Sequence, residues 1–153
     1  MPQIFDFTFT VRAPLAAVAA FHADTRVLAR LTPPPIFVQL HQVQPLAESS
    51  IADFTLWFGP LPVRWVAVHS MVDARQGFTD TQQSGPLKFW RHTHRFESSG
   101  ENLTRVSEHI EYEYPPGWRG WLSRAMFNGL ALRFLFSYRS LVTRVSLESR
   151  SRS

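Results

Sequence analysis

The sequence predicts an α+β domain: one curved, seven-stranded antiparallel sheet wrapped around a long C-terminal helix, with two short helices after the first strand. Three observations predict it. Ile4 to Val11 alternates Phe5, Phe7, Phe9 and Val11 with Asp6, Thr8 and Thr10, the pattern of a half-buried strand. Between Ile36 and Tyr114, six segments rich in β-branched and aromatic residues are joined by connections short enough to favour antiparallel neighbours. From Trp118 to about Leu147 there is no proline, and apolar residues recur every three or four positions.

The elements follow in order. Pro14 sits where a first helical turn tolerates it, and Leu15 to Phe21 is rich in helix formers. Asp24 is placed to cap a second short helix, Thr25 to Leu31, which must end before Pro33-Pro34-Pro35. The six strands are Ile36–Gln42, Ile51–Phe58, Val63–Val72, Phe78–Gln83, Leu87–Phe96 and Arg105–Tyr114. Turn signals separate them, including Gly59-Pro60-Leu61-Pro62, Gln76-Gly77 and Ser84-Gly85-Pro86. Pro115-Pro116-Gly117 closes the strand run.

In the C-terminal helix, Phe127, Leu130, Phe134, Tyr138, Leu141 and Val145 define one apolar face. A second set, Trp121, Leu122, Met126, Leu132, Leu135 and Phe136, makes its middle apolar nearly all round. Arg124, Arg133 and Arg139 fall inside that stretch and argue against a membrane span. The expected organisation is one domain over residues 1–147 and a disordered basic tail over 148–153.

A chain of 153 residues can bury a core without staples, and its 13 Phe and 5 Trp suit a broad sheet and a cavity. Without cysteine there is no disulfide framework, thiolate metal site or thiol nucleophile. The N-terminus lacks the pattern of a signal peptide, and the expected location is the cytoplasm. Charge is uneven: residues 1–118 carry 9 Lys+Arg and 11 Asp+Glu, whereas residues 119–153 carry 7 Arg and only Glu148. Spaced along a helix, these arginines read as a solvated face or as a peripheral contact with an anionic membrane or partner. No nucleic-acid partner is expected.

Chemistry concentrates in Gly85 to Phe96, GPLKFWRHTHRF. As a strand it turns Trp90, His92, His94 and Phe96 to one face and Arg91, Thr93 and Arg95 to the other. Aromatics with two imidazoles make a wall that is apolar but carries polar points, as a small-molecule pocket requires. Phe78, Asp80 and Gln82 share a face of their strand, and Glu108 stands in a row with Val106, Ile110 and Tyr112. A carboxylate in such a row either pairs structurally with an Arg or His, or anchors a ligand or serves as an acid–base group. His92 and His94 with Asp80 or Glu108 also form a conceivable two-His, one-carboxylate metal set, but the expectation is a hydrogen-bonded network without metal. There is no nucleophile elbow and no Gly-rich phosphate loop, so no nucleotide or other cofactor is expected. His22, His41 and His109 read as ordinary surface or core histidines.

The order of elements resembles the helix-grip fold of the START, birch-pollen-allergen-like and polyketide cyclase/dehydrase superfamily (SRPBCC). The motifs are similar to one bacterial, cyclase-like branch. The residues that carry the resemblance are Pro33-Pro34, Pro62, Trp65, Phe78, Asp80, Gln82, Gly85-Pro86, Trp90, His92, His94 and Phe96, then Thr104, Glu108, Tyr112 and Pro115. Two details depart from the pattern: a third proline, Pro35, and His69 where an aliphatic residue is expected.

The resemblance implies a cavity between sheet and C-terminal helix that binds, and in some members transports, a hydrophobic or amphipathic small molecule. The residues expected to line it are Trp65, His69, Phe78, Asp80, Gln82, Trp90, His92, His94, Phe96, Glu108, Ile110, Tyr112, Phe127, Leu130 and Phe134. Three functions fit: a non-catalytic binding protein, a cyclase or dehydratase using His92, His94, Asp80 or Glu108 in acid–base chemistry, and a membrane- or partner-docking module. Binding without catalysis is the preferred one.

Overall fold

A computed structural model describes residues 1–148. Strand β1 (Gln3–Val11) leads into helix α1 (Leu15–Ala23) and a 3-10 helix over Thr25–Ala29. Six strands follow: β2 (Phe37–Val43), β3 (Ile51–Phe58), β4 (Leu61–Asp73), β5 (Gly77–Ser84), β6 (Phe89–Gly100) and β7 (Leu103–Glu113). Sheet order is β1-β7-β6-β5-β4-β3-β2, antiparallel throughout. Each short turn makes a hairpin from β2 onward, and β1 closes the far edge by pairing with β7, setting Phe7 opposite Glu108.

Two local details differ from expectation. Pro14 is the residue before α1, in extended conformation, rather than part of its first turn. The second helix is a five-residue 3-10 helix, although Asp24 caps it as the sequence suggests, accepting from Arg26 N at 3.0 Å.

The C-terminal helix is long but bent, into α2 (Gly117–Phe127) and α3 (Gly129–Glu148). The bend is at Asn128, whose backbone is extended (ψ 169°). Its amide secures both helix ends: Nδ2 donates to Arg124 O and Ala125 O, and Oδ1 accepts from Ala131 N. An asparagine can thus interrupt a helix without proline, because its side chain replaces the backbone bonds lost at each end.

The bend also changes which face is buried. The expected face fails after Phe127: Leu130, Phe134, Leu141 and Val145 are exposed. The buried row is Leu132, Phe136, Ser140, Thr143 and Leu147, drawn from the other side of a helix that is apolar nearly all round. Small polar Ser140 and Thr143 hid this row from a hydrophobicity count. Each returns its hydroxyl to a carbonyl of its own helix, Ser137 O and Arg139 O, and so is buried at little cost. Glu148, expected in the tail, ends α3 and accepts from Arg12 N at 3.0 Å. Residues 149–153, the rest of that expected tail, lie outside the described residues.

Two clusters fill the space between sheet and helices. One joins Trp65, Trp90, Ile110 and Tyr112 to Phe127, Leu132 and Phe136. The other joins Phe9, Val18, Phe78, Phe96 and Val106 to Leu147. Along β6 and β7 the polar residues His92, His94 and Glu108 come between them.

Candidate functional site: a histidine–carboxylate pole in an apolar cavity

The polar residues meet because β5, β6 and β7 are neighbours in register. Asp80 lies opposite His92, and His94 opposite Glu108. Gly77, at the start of β5, is needed for this approach: its φ is +131°, and a Cβ there would lie 1.9 Å from the His94 carbonyl oxygen. The close contact seats the Phe78 ring on His94, with centroids 4.3 Å apart.

His92 Nε2 donates to Glu108 Oε2 at 2.7 Å, and His94 Nε2 donates to Asp80 Oδ2 at 3.0 Å. His94 Nδ1 also lies 2.9 Å from Glu108 Oε2, at an angle that makes it a charge contact rather than a directed hydrogen bond. The two imidazole centroids are 3.8 Å apart. Four side chains thus form one closed ring of acids and bases, with Glu108 at its back.

Charge is distributed unevenly over this ring. Burial by itself lowers the pKa of His94, but Glu108 and Asp80 outweigh it and bring the value to about 9. His92 goes the other way, lowered by burial and by the neighbouring His94 charge despite both carboxylates. Burial opposes ionisation of Asp80 and Glu108, yet the two histidines overcome it and hold both below the usual carboxylate range. The consistent state has His94 cationic, His92 neutral and both acids ionised. Neutral His92 gives its one proton to Glu108, so its Nδ1 is an unprotonated acceptor, 3.6 Å from Asp80 Oδ2.

These groups stand at the edge of a cavity of about 150 Å³ between the sheet and the helices. Of the residues expected to line it, Trp65, His69, Phe78, Asp80, Trp90, His92, His94 and Phe127 do so. Glu108 sits behind the rings, and Phe96, Ile110 and Tyr112 are core residues rather than lining. Gln82 is turned to the β5–β6 turn, where its amide donates to Leu87 O and accepts from Leu87 N. Leu130 and Phe134 point to solvent because the helix presents its other face. His69 is buried, with Nδ1 3.0 Å from Ser50 Oγ and its ring edge-on to Phe78.

Sequence reasoning missed several lining residues. His22 of α1 closes one side, with Nδ1 bonded to Val18 O and a pKa lowered to about 4, chiefly by burial. Leu28 and Leu31, Ala52 and Phe54, Ala67 and Leu135 supply apolar wall. Arg139 of α3 is a further charge at the cavity, in addition to Asp80 and His94 of the pole. Its Nε donates to Leu31 O at 3.2 Å, and its terminal nitrogens meet no acceptor among the described residues. It shares the buried helix face with Leu132, Leu135 and Phe136, so that row would have located it.

Asp80, His92 and His94 bring ligand atoms within 4.8 Å of one another, close enough for a divalent cation. In the arrangement described, their polar atoms are turned to each other and to Glu108 instead.

No family model matches this sequence, and no curated protein matches it. Solved structures do. The Zhui aromatase/cyclase of a Streptomyces species superposes with a TM-score of 0.80 at 14% identity, covering 100% of this chain and 98% of that one. The protein has the helix-grip fold. Norcoclaurine synthase of Thalictrum flavum, solved with dopamine and hydroxybenzaldehyde, matches at a TM-score of 0.70 and 15% identity over 97% of this chain and 88% of that one. A START superfamily protein of Mycobacterium smegmatis matches at 0.70 and 10% over 95% and 97%. Among the described residues, no helix is long and apolar enough to cross a membrane.

Proposed function

We propose that this protein binds a hydrophobic or amphipathic small molecule in the cavity, apolar body against the walls and polar end against the histidine–carboxylate pole. The observation that carries this reading is the asymmetry of the lining. Leu28, Leu31, Phe54, Trp65, Trp90, Phe127 and Leu135 are apolar, whereas Asp80, His92 and His94, with His22 beside His94, His69 across from Asp80, and Arg139, supply most of the polar atoms. A space of this size accepts one aromatic ring or a short acyl chain. His92 Nδ1 and the free Arg139 donors offer one acceptor and one set of donors, a match for a hydroxyl or carbonyl on the ligand.

Native mass spectrometry of the purified protein, followed by titration with the species it carries, tests the reading. Ala67→Phe should fill the cavity, lowering affinity by roughly tenfold or more while the fold survives. Undiminished binding by that variant would place the ligand elsewhere.

A second reading, cyclisation or dehydration of a polyketide-like or aromatic substrate, draws on the Glu108–His92 pair. A buried neutral imidazole, oriented by a carboxylate and presenting a free nitrogen, is equipped to take a proton beside a carbonyl. His92→Ala would then abolish product formation from a poly-β-ketone while binding persists. In a pure binding protein the same variant would lose affinity only modestly and there would be no product to lose.

A further inference from the structure

The outward faces of α2 and α3 are unusual for a surface. Trp118 and Trp121 are 75% and 74% exposed, and Leu130 and Phe134 are 82% and 65% exposed. Leu141 extends the same stripe along α3. Both helices press their buried residues onto one face of the sheet: Phe127 packs on Trp65 and Trp90, and Phe136 on Phe5, Phe7 and His92. Their opposite faces therefore look outward on one side of the molecule. Burial in this fold does not explain two tryptophans and a phenylalanine there, and exposed apolar patches of this kind mark contact surfaces.

The charge around this surface selects the partner. From Gly117 to Leu147 the chain has five arginines and no acidic residue. Arg139 faces the cavity, while Arg119, Arg124 and Arg133 are exposed beside the apolar stripe. No carboxylate among the described residues pairs with those three. A second copy docked by its own α3 would bring like charges together, which disfavours self-association. An anionic bilayer surface complements both features: arginines meet phosphate, and tryptophan sits at the headgroup level.

We propose that the outward face of α2 and α3 is a peripheral docking surface for anionic phospholipid membranes, with Trp118, Trp121, Leu130 and Phe134 inserted at the interface and Arg119, Arg124 and Arg133 on the headgroups. The proposal stands apart from the cavity, since none of these seven residues lines it.

Co-sedimentation of the full chain with phosphatidylcholine vesicles, with and without phosphatidylglycerol, tests it. Sedimentation is expected only with phosphatidylglycerol and should fade at high salt. Arg119→Gln with Arg133→Gln should weaken it by roughly 25-fold, from a basic residue's usual contribution at such a surface. Trp118→Ala with Trp121→Ala and Phe134→Ser should weaken it further, with an unchanged thermal midpoint showing that the fold is intact. Three results would overturn the proposal: no sedimentation with anionic vesicles, sedimentation undiminished in the Trp118/Trp121/Phe134 variant, or a lipid-free dimer that Phe134→Glu dissociates. The last would show the surface to be covered by a second copy.

Discussion

Glu108 is the residue whose loss most directly reports on the polar pole. It is 5% exposed, accepts from His92 and holds His94 charged. Removing one partner of a buried ion pair costs about 3–5 kcal/mol when the other charge stays. Here the loss is capped, because His94 can release its proton. With a pKa of about 9, that release at neutral pH costs roughly 3 kcal/mol. We therefore expect Glu108→Leu to cost about 3 kcal/mol. Glu108→Gln, which keeps an acceptor for His92 Nε2–H, should cost about 1–2 kcal/mol. At about 2–4 °C per kcal/mol for a chain of this length, the melting midpoint falls by about 6–12 °C and about 2–8 °C respectively.

The pH profile provides an independent readout. His94 has its pKa raised from 6.5, so its contribution is complete below pH 6.5 and is lost as pH rises through about 9. His22 has its pKa lowered from 6.5 to about 4, so its contribution is complete above pH 6.5 and is lost as pH falls toward 4. Stability of the parent protein should thus peak near pH 6.5, and either Glu108 variant should flatten the alkaline limb and also remove the acid-side loss below pH 4.5 that the depressed pKa of Glu108 itself contributes. Equal, negligible losses with an unchanged alkaline limb would refute the network as described.

Further outcomes follow from the packing. Gly77→Ala forces a Cβ into the His94 carbonyl and a side chain onto a φ of +131°; urea unfolding should show a loss of about 2–4 kcal/mol. Phe136→Ala should cost about 3–5 kcal/mol, because the ring is fully buried against Phe5 and Phe7. Leu130→Ala, six residues earlier on the exposed side, should stay within about 0.5 kcal/mol by the same measurement. Equal costs for the two would mean that the helix presents the other face.

The strands were legible because their signal is local. Alternation of Phe5, Phe7 and Phe9 with Asp6 and Thr8, and turns marked by Gly and Pro, specify strands and hairpins without reference to the rest of the chain. The same parity put Trp90, His92 and His94 on one face, and Asp80 and Glu108 facing inward on their own strands. What parity could not supply was register. Which carboxylate reaches which imidazole, and that Glu108 stands behind the rings rather than in the cavity wall, depends on how β5, β6 and β7 align.

The C-terminal helix was legible as a helix but not as a packed element. Apolar residues cover most of its girth, so periodicity favoured Leu130 and Phe134 as readily as Leu132 and Phe136. The decision came from the bend at Asn128 and from a sheet face able to receive Ser140 and Thr143. With that rotation Arg139 turned into the cavity, and α1 brought His22 beside His94. By itself, the sequence determined the elements, their order and the residue types able to make a polar pole in an apolar cavity. Tertiary structure decided which of them meet, because hydrophobic patterning ranks faces by composition whereas burial is settled by the shape of the partner surface.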